Sequence, residues 1–274
     1  MAISTLDQYI AAASQRVSIM KTASRTNVAA VPFSVLDLAG NPGAGVLAGA
    51  NTANGVVPTD ATVGFPVIND FAGGTTGYIG GIQFGNSVAC RFTLFDLLFK
   101  AGAYAFTAAT TTLSAQPSYS SRVLGGTDYT NTEIWIEVST AFVTGTAWQV
   151  TVTYTNQAGT AGRSTVISAA QAAAALTLGK LFQLALAPGD TGVQKIESVI
   201  VTNGGTAMTA GAVNVLVMRR LWTGRVRIAN DGDTHDIMKT GMPQIFQDSA
   251  LYLTIAADGT STGIPEIQLE IVSG

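Results

Sequence analysis

Apolar and polar residues alternate with a period of two through Val150-Thr151-Val152-Thr153-Tyr154 and again through Ile267-Gln268-Leu269-Glu270-Ile271, which predicts strands with one face on a core. Ile134-Trp135-Ile136-Glu137-Val138 and Leu251-Tyr252-Leu253-Thr254-Ile255 carry the same β-branched and aromatic signal. The first twenty residues have a different period. Thr5-Leu6-Asp7-Gln8 has the spacing of a capping box. Leu6, Ile10, Ala13, Val17 and Met20 then recur at three- and four-residue intervals, which predicts a helix with an apolar stripe that must dock on a surface.

Two parts of the chain match in order and spacing. Arg91 to Phe99 runs on to Gly102, and Val213 to Trp222 runs on to Gly224. Each is followed by a pair of strand segments, and Trp135 precedes Val150 by the interval at which Tyr252 precedes Ile267. The expected architecture is mainly β: tandem jelly-roll-like antiparallel sandwiches, each closing on a half-buried hairpin. Phe99 and Trp222, and likewise Trp135 and Tyr252, should then occupy equivalent core positions. The expected division is an N-terminal helix and Gly-rich arm over 1–77, a first sandwich over 78–168, an Ala-rich linker over 169–178 and a second sandwich over 179–274.

The arm assignment comes from turn residues. Gly40-Asn41-Pro42-Gly43-Ala44-Gly45, Asn54-Gly55 and Gly73-Gly74-Thr75-Thr76-Gly77 favour loops, because Gly and Asn tolerate positive φ and Pro fixes its own. So long a loop system inside a domain points to a function, and packing across a neighbour is one such function.

Composition sharpens this picture. Only 11% of residues are charged while 47% are hydrophobic, so much of the surface must be small, polar or apolar, which suits contact between molecules. A net charge of -3 and a pI near 5.1 argue against a nucleic-acid-binding protein. The N-terminus reads without the pattern of a secretory leader. The most apolar run, Ala172 to Ala187, is interrupted by Lys180 and Gln183 and falls short of a membrane span. The single cysteine, Cys90, has an apolar setting and reads as a buried side chain.

Candidate chemistry is sparse, and no catalytic, cofactor or metal residue is assigned. Gly259-Thr260-Ser261-Thr262-Gly263 matches the G-x-S-x-G pattern, but a strand signal follows it and the one histidine, His235, precedes Ser261, so a loop is favoured over a nucleophile elbow. Asp231-Gly232-Asp233-Thr234-His235-Asp236 reads as a solvated turn in preference to a weak Ca²⁺ or Mg²⁺ site. Arg219, Arg220, Arg225 and Arg227 form the basic cluster, and Arg225 and Arg227, on one strand face, are placed either to contact phosphate or to pair with Asp231 and Asp233, with salt bridges at an interface favoured over DNA binding. Trp148 and Tyr129 are candidates for a sugar-binding platform, weighed against simple core packing.

Several stretches resemble a family of tailed-phage virion structural proteins. They are Met1-Ala2-Ile3-Ser4-Thr5-Leu6-Asp7, the block from Leu36 to Gly45, Leu97 to Gly102, Glu133 to Thr140, Val152 to Gly162 and Leu186 to Val193. The resemblance implies a particle component and brings no active-site residues with it. With the low charge and the duplicated β pattern, it leads to the expectation of a non-enzymatic capsid decoration or cement protein. Such a protein would sit in the virion, assembled in the host cytoplasm, against the major capsid protein and further copies of itself, with a trimer favoured and neither nucleic acid nor membrane as partner. The alternatives are a tail, collar or spike component, or a host-glycan-binding module. The residues expected at the assembly interface are Leu6, Ile10, Val17 and Met20, with the loop bounded by Pro42 and Pro58. Removal of residues 1–24 should on this reading leave a folded protein that fails to assemble.

Overall fold

The structure is a computed structural model that describes residues 3–49, 51–106, 109–142, 148–166, 177–203 and 210–274. The expected linker over 169–178 lies almost wholly outside the described residues.

In chain order the strands are β1 (Ala13–Lys21), β2 (Phe33–Ser34), β3 (Gly40–Asn41), β4 (Asn51–Val56), β5 (Gly77–Asn86), β6 (Cys90–Tyr104), β7 (Thr110–Thr112), β8 (Thr132–Thr140) and β9 (Trp148–Asn156). They continue as β10 (Arg163–Ser164), β11 (Leu181–Leu184), β12 (Val193–Asn203), β13 (Ala212–Val226), β14 (Asp231–His235), β15 (Gln244–Ile245), β16 (Leu251–Ala257) and β17 (Glu266–Ser273). Among the described residues these strands are accompanied by two short helices, α1 (Leu6–Ala11) and α2 (Ile237–Thr240), and one 3-10 turn. The chain is mainly β, as its periodicity predicts, and the strand pairs whose register is defined are antiparallel.

The chain forms two compact units, and they are not in tandem. Unit one is assembled from Met1–Val46, Thr59–Asp96 and Leu221–Gly274, and unit two from Leu47–Pro58 and Leu97–Arg220. The long strands β6 and β13 each begin in one unit and end in the other. In unit one the two sheets have the orders β1-β17-β5-β14 and β2-β16-β6-β13. Numbering that unit's main strands along the chain gives 1-8-3-6 and 2-7-4-5, the connectivity of a jelly roll.

Unit two has the orders β10-β9-β12-β7 and β11-β8-β13-β6. Counted from β10, with β6 following β13, it repeats the same 1-8-3-6 and 2-7-4-5 scheme. Unit two is therefore a circularly permuted jelly roll, inserted where unit one passes from its fourth strand to its fifth. The boundaries 78–168 and 179–274 are corrected accordingly: β8, expected in the first sandwich, pairs with β13, expected in the second. Periodicity marks where strands are and leaves their partners open, so an insertion between matched strands reads as a tandem repeat.

The expected hairpins also differ. β16 pairs with β6 and β2, while β17 pairs with β5 and β1, so the two strands arch between opposite sheets. The arch β8–β9 does the same in unit two. The interval shared by Trp135–Val150 and Tyr252–Ile267 is thus the length of equivalent arches.

Each unit has its own core. Phe99 belongs to the core of unit two and Trp222 to that of unit one, on the equivalent fifth strands, as the repeat predicts. Trp135 and Tyr252 also stand on equivalent strands, but the residues flanking them, Ile134 and Ile136, Leu251 and Leu253, are the ones that enter the cores. Trp135 and Tyr252 are buried on the other face of the sheet.

The N-terminal segment departs most from expectation. The capping box forms, with Gln8 N–H donating to Thr5 Oγ1 at 3.2 Å and Thr5 N–H to Gln8 Oε1 at 3.1 Å. The helix ends at Ala11, and residues from Ala13 pair with β17. Val17 and Ile19 then point into the core by strand alternation, with Met20 on the other face. Pairing along a full strand satisfies more backbone groups and buries more apolar surface than a continued solvent-facing helix, and helix propensity is too weak to oppose that.

The Gly-rich arm is likewise held by its own chain. β3 pairs with β1, and β4 pairs with β6. The buried Lys21 ammonium donates to Leu38 O at 3.1 Å and Pro42 O at 3.0 Å, and burial lowers its pKa against the opposing pull of Asp37. Arg25 adds an ion pair with Asp37. Asp60 accepts from Ile68 N–H at 2.8 Å and closes the loop ahead of β5.

In unit two, Asp190 fastens the end of β9 and the start of β10. It accepts from Tyr154 Oη and Asn156 Nδ2, both at 2.7 Å, and from Arg163 Nε at 2.8 Å. Burial pushes the Asp190 carboxyl up, but the hydrogen bonds from Arg163, Asn156 and Tyr154 together outweigh it, and its pKa lies below the usual carboxylate value. A depressed folded-state pKa contributes stability above the unfolded pKa and loses it as pH falls through the folded one. Asp190→Ala is expected to lower stability at pH 7 by about 1–3 kcal/mol, because it strands buried donors of Tyr154 and Asn156. Urea titrations should show the gap between the two proteins narrowing as pH falls below the ordinary carboxylate range; a gap unchanged there would refute this role.

Candidate functional site

The outer face of the sheet β1-β17-β5-β14 in unit one carries a polar concavity. Alternation sends Ile267, Leu269 and Ile271 inward and leaves Glu266, Gln268 and Glu270 outward. Register places Gln268 between Ser18 on β1 and Gln83 on β5, and Gln83 beside Thr234 on β14. One row of hydroxyl, amide, amide and hydroxyl therefore crosses four strands. Glu270 lies between Arg16 and Gly81, and Glu266 between Met20 and Gly85.

Two adjoining cavities of about 310 and 370 Å³ share Gln83, Thr234 and Gln268. Tyr9, on α1, closes one end with its ring over Gly80, where a Cβ would lie 2.7 Å from the phenolic oxygen. Burial, followed by the charge of Glu270, raises the Tyr9 pKa. Tyr9 is thus the α1 residue that meets the sheet, and the three- and four-residue apolar spacing missed it because the helix ends after six residues.

The residues expected at an interface divide into two sets. Leu6 and Ile10 are 62% and 72% exposed on α1, and Met20 lines the second cavity. Val17 is a core residue and Pro58 is buried, which removes both from any contact surface; Pro42 is half-buried, its carbonyl held by Lys21. The exposed apolar residues of the Gly-rich arm include Val46, Val63 and Val67, at 63%, 69% and 68%, with Val56 at 46%. Gly45 packs directly against the Val63 carbonyl, so the two loops bearing Val46 and Val63 adjoin.

The other candidates resolve as structure. Asp231 to His235 form the edge strand β14 and not a turn, and Asp236 caps α2 through Met238 N–H and Lys239 N–H, both at 3.1 Å. Among the described residues no three His, Cys, Asp or Glu side chains stand close enough to hold a metal ion. Arg225 pairs with Asp258 at 3.4 Å and not with an aspartate of β14, and Arg220 pairs with Glu133 at 3.1 Å.

Ser261 Oγ accepts from Gly263 N–H at 3.2 Å in the β16–β17 loop, and His235 Nδ1 accepts from Trp222 Nε1 at 2.9 Å. Each is occupied with local structure. Trp148 packs against Phe106, Phe142 and Phe182 and is 1% exposed, so it offers no sugar platform, and the Tyr129 ring rests on Tyr119. Cys90 is buried, as its apolar setting predicts, and burial pushes its thiol up to about 11.

The strand orders define a β protein of two jelly rolls, one inserted in the other. No protein-family model and no curated protein matches the chain. Among solved structures, the VP2 subviral particle of infectious bursal disease virus is similar over 96% of this chain and 79% of that one, at 10% identity and a TM-score of 0.23. The T13 particle of the same virus is similar over 96% of this chain and 76% of that one, at 9% identity and a TM-score of 0.24. Scores of that size do not establish a common arrangement, and the class assignment stands on the strand order.

Proposed function

We propose that this chain is a non-enzymatic structural component of a virus particle, of the decoration or cement type, held in many copies on the major capsid protein of a tailed phage. The observation that carries the proposal is the doubled jelly roll, an architecture used for shell building. Its low charge fits the same role. The contact surface is the pair of loops bearing Val46, Val63 and Val67, ordered by their own chain and apolar at the tip, so that little entropy is lost on docking. Self-association, with a closed trimer favoured, places several such tips on one shell and multiplies a modest contact.

The triple variant Val46→Asp, Val63→Asp, Val67→Asp is expected to fold with an unchanged far-UV spectrum and to fall at least tenfold in its abundance in purified particles. Gel densitometry of particles made with wild type and variant measures this. Wild-type protein found only at a handful of copies in the tail fraction would replace the cement reading with a tail, collar or spike component.

A further inference from the structure

We infer that the outer face of β1-β17-β5-β14 is a binding groove for a neutral oligosaccharide, a site independent of the proposed particle role. The glycines of β5 are the first observation. Gly81 sits at an outward position in the strand without a positive φ, so backbone conformation does not require glycine there, whereas Gly85 is buried with a Cβ position 3.2 Å from Asp231 O. Glycine inside a strand costs stability and marks a place where a ligand or another chain comes close. Gly80 is accounted for by the Tyr9 ring and by the bulge opposite Glu270 and Ile271. At Gly81 the atoms nearest to a Cβ would be those of the Glu270 side chain, at 3.3 Å, and His235 O, at 3.7 Å; the tight one is the end of a flexible side chain that can give way, so no backbone contact demands glycine there.

The second observation is the chemistry above that floor. Among the described residues, the side chains of Gln83, Gln268, Glu266 and Glu270 make no hydrogen bond within the chain. The two amides, each both donor and acceptor, lie side by side on paired strands, and a carboxylate flanks them on either side along β17. Sugar hydroxyls match that set: they donate to carboxylates and exchange hydrogen bonds in both directions with amides. An anionic ligand is disfavoured by Glu266 and Glu270.

Neighbouring strands are about 4.8 Å apart, so the row from Ser18 to Thr234 spans about 14 Å, the length of roughly three sugar rings. The cavities, at about 310 and 370 Å³, fall in the range of small-ligand sites. The half-buried Tyr9 at the end of the groove supplies an aromatic wall.

The test uses the full chain with maltotriose, cellotriose, mannotriose and chitotriose as neutral probes and trilysine as a cationic one, titrated by calorimetry and saturation-transfer NMR. At least one trisaccharide is expected to bind saturably with a Kd at or below about 1 mM. Gln83→Ala with Gln268→Ala should weaken that binding at least tenfold with the melting temperature unchanged. Gly81→Val should abolish it while leaving the fold as stable or more so, a combination that a purely structural glycine would not give. The inference is overturned if none of the four saccharides binds at about 10 mM, if trilysine alone binds, or if the variants bind as wild type does.

Discussion

Removal of residues 1–24 is expected to unfold unit one. β1 pairs with β17 from Ala13 opposite Ser273 to Met20 opposite Glu266 and lies between β17 and β3. Its loss strips Val17 and Ile19 from the core, at about 1.5–3 kcal/mol for each buried aliphatic side chain. It also exposes the β17 edge along its length and leaves the carbonyls of Leu38 and Pro42 without the Lys21 ammonium. Together these losses are comparable with the total stability of an ordinary domain, about 5–15 kcal/mol. Removal of residues 1–12 takes away only α1 and its Tyr9 contact, and should leave a cooperative transition at lower temperature. Circular dichroism melts and limited proteolysis of the two truncations distinguish them. A chain starting at residue 25 that melts cooperatively with a native far-UV spectrum would show that β1 is dispensable, and would restore the detachable arm that the apolar spacing predicts.

Trp222→Ala and Phe99→Ala should each cost about 3–5 kcal/mol, since each deletes a large buried aromatic from a core that closes only partly behind it. The Trp222 ring makes edge contacts with Phe84 at 4.7 Å and His235 at 5.4 Å, and its indole N–H donates to His235. A glycine makes room for each ring: a Cβ at Gly224 would fall 2.2 Å from the Trp222 side chain, and one at Gly55 would fall 2.1 Å from Phe99. Equal costs in the two variants, read from urea transitions followed by far-UV ellipticity, are what equivalent positions in two copies of one topology require. A cost below about 1 kcal/mol for either would mean that its site is not a packed core position.

The alternation in β9 and β17, the paired long segments that become β6 and β13, and the capping box at Thr5 and Gln8 were all legible in the chain, because each depends on neighbours a few residues away. Even the equivalence of Phe99 with Trp222 was readable, since each closes a long apolar segment that runs on to a glycine and is followed by a pair of strands. Of the groove, the sequence showed the outward Glu266, Gln268 and Glu270 as the polar half of a strand pattern. It held no sign that Gln83 and Thr234, from distant segments, stand in register beside Gln268.

What only the tertiary structure decided is which strand pairs with which. Hydrogen bonds between strands are backbone to backbone and nearly independent of side-chain identity, so the order β11-β8-β13-β6 leaves no local mark. The same holds for the first twenty residues. Helix and strand compete there within the small range of local propensities, and the exposed edge of β17, formed by residues at the other end of the chain, decides in favour of the strand.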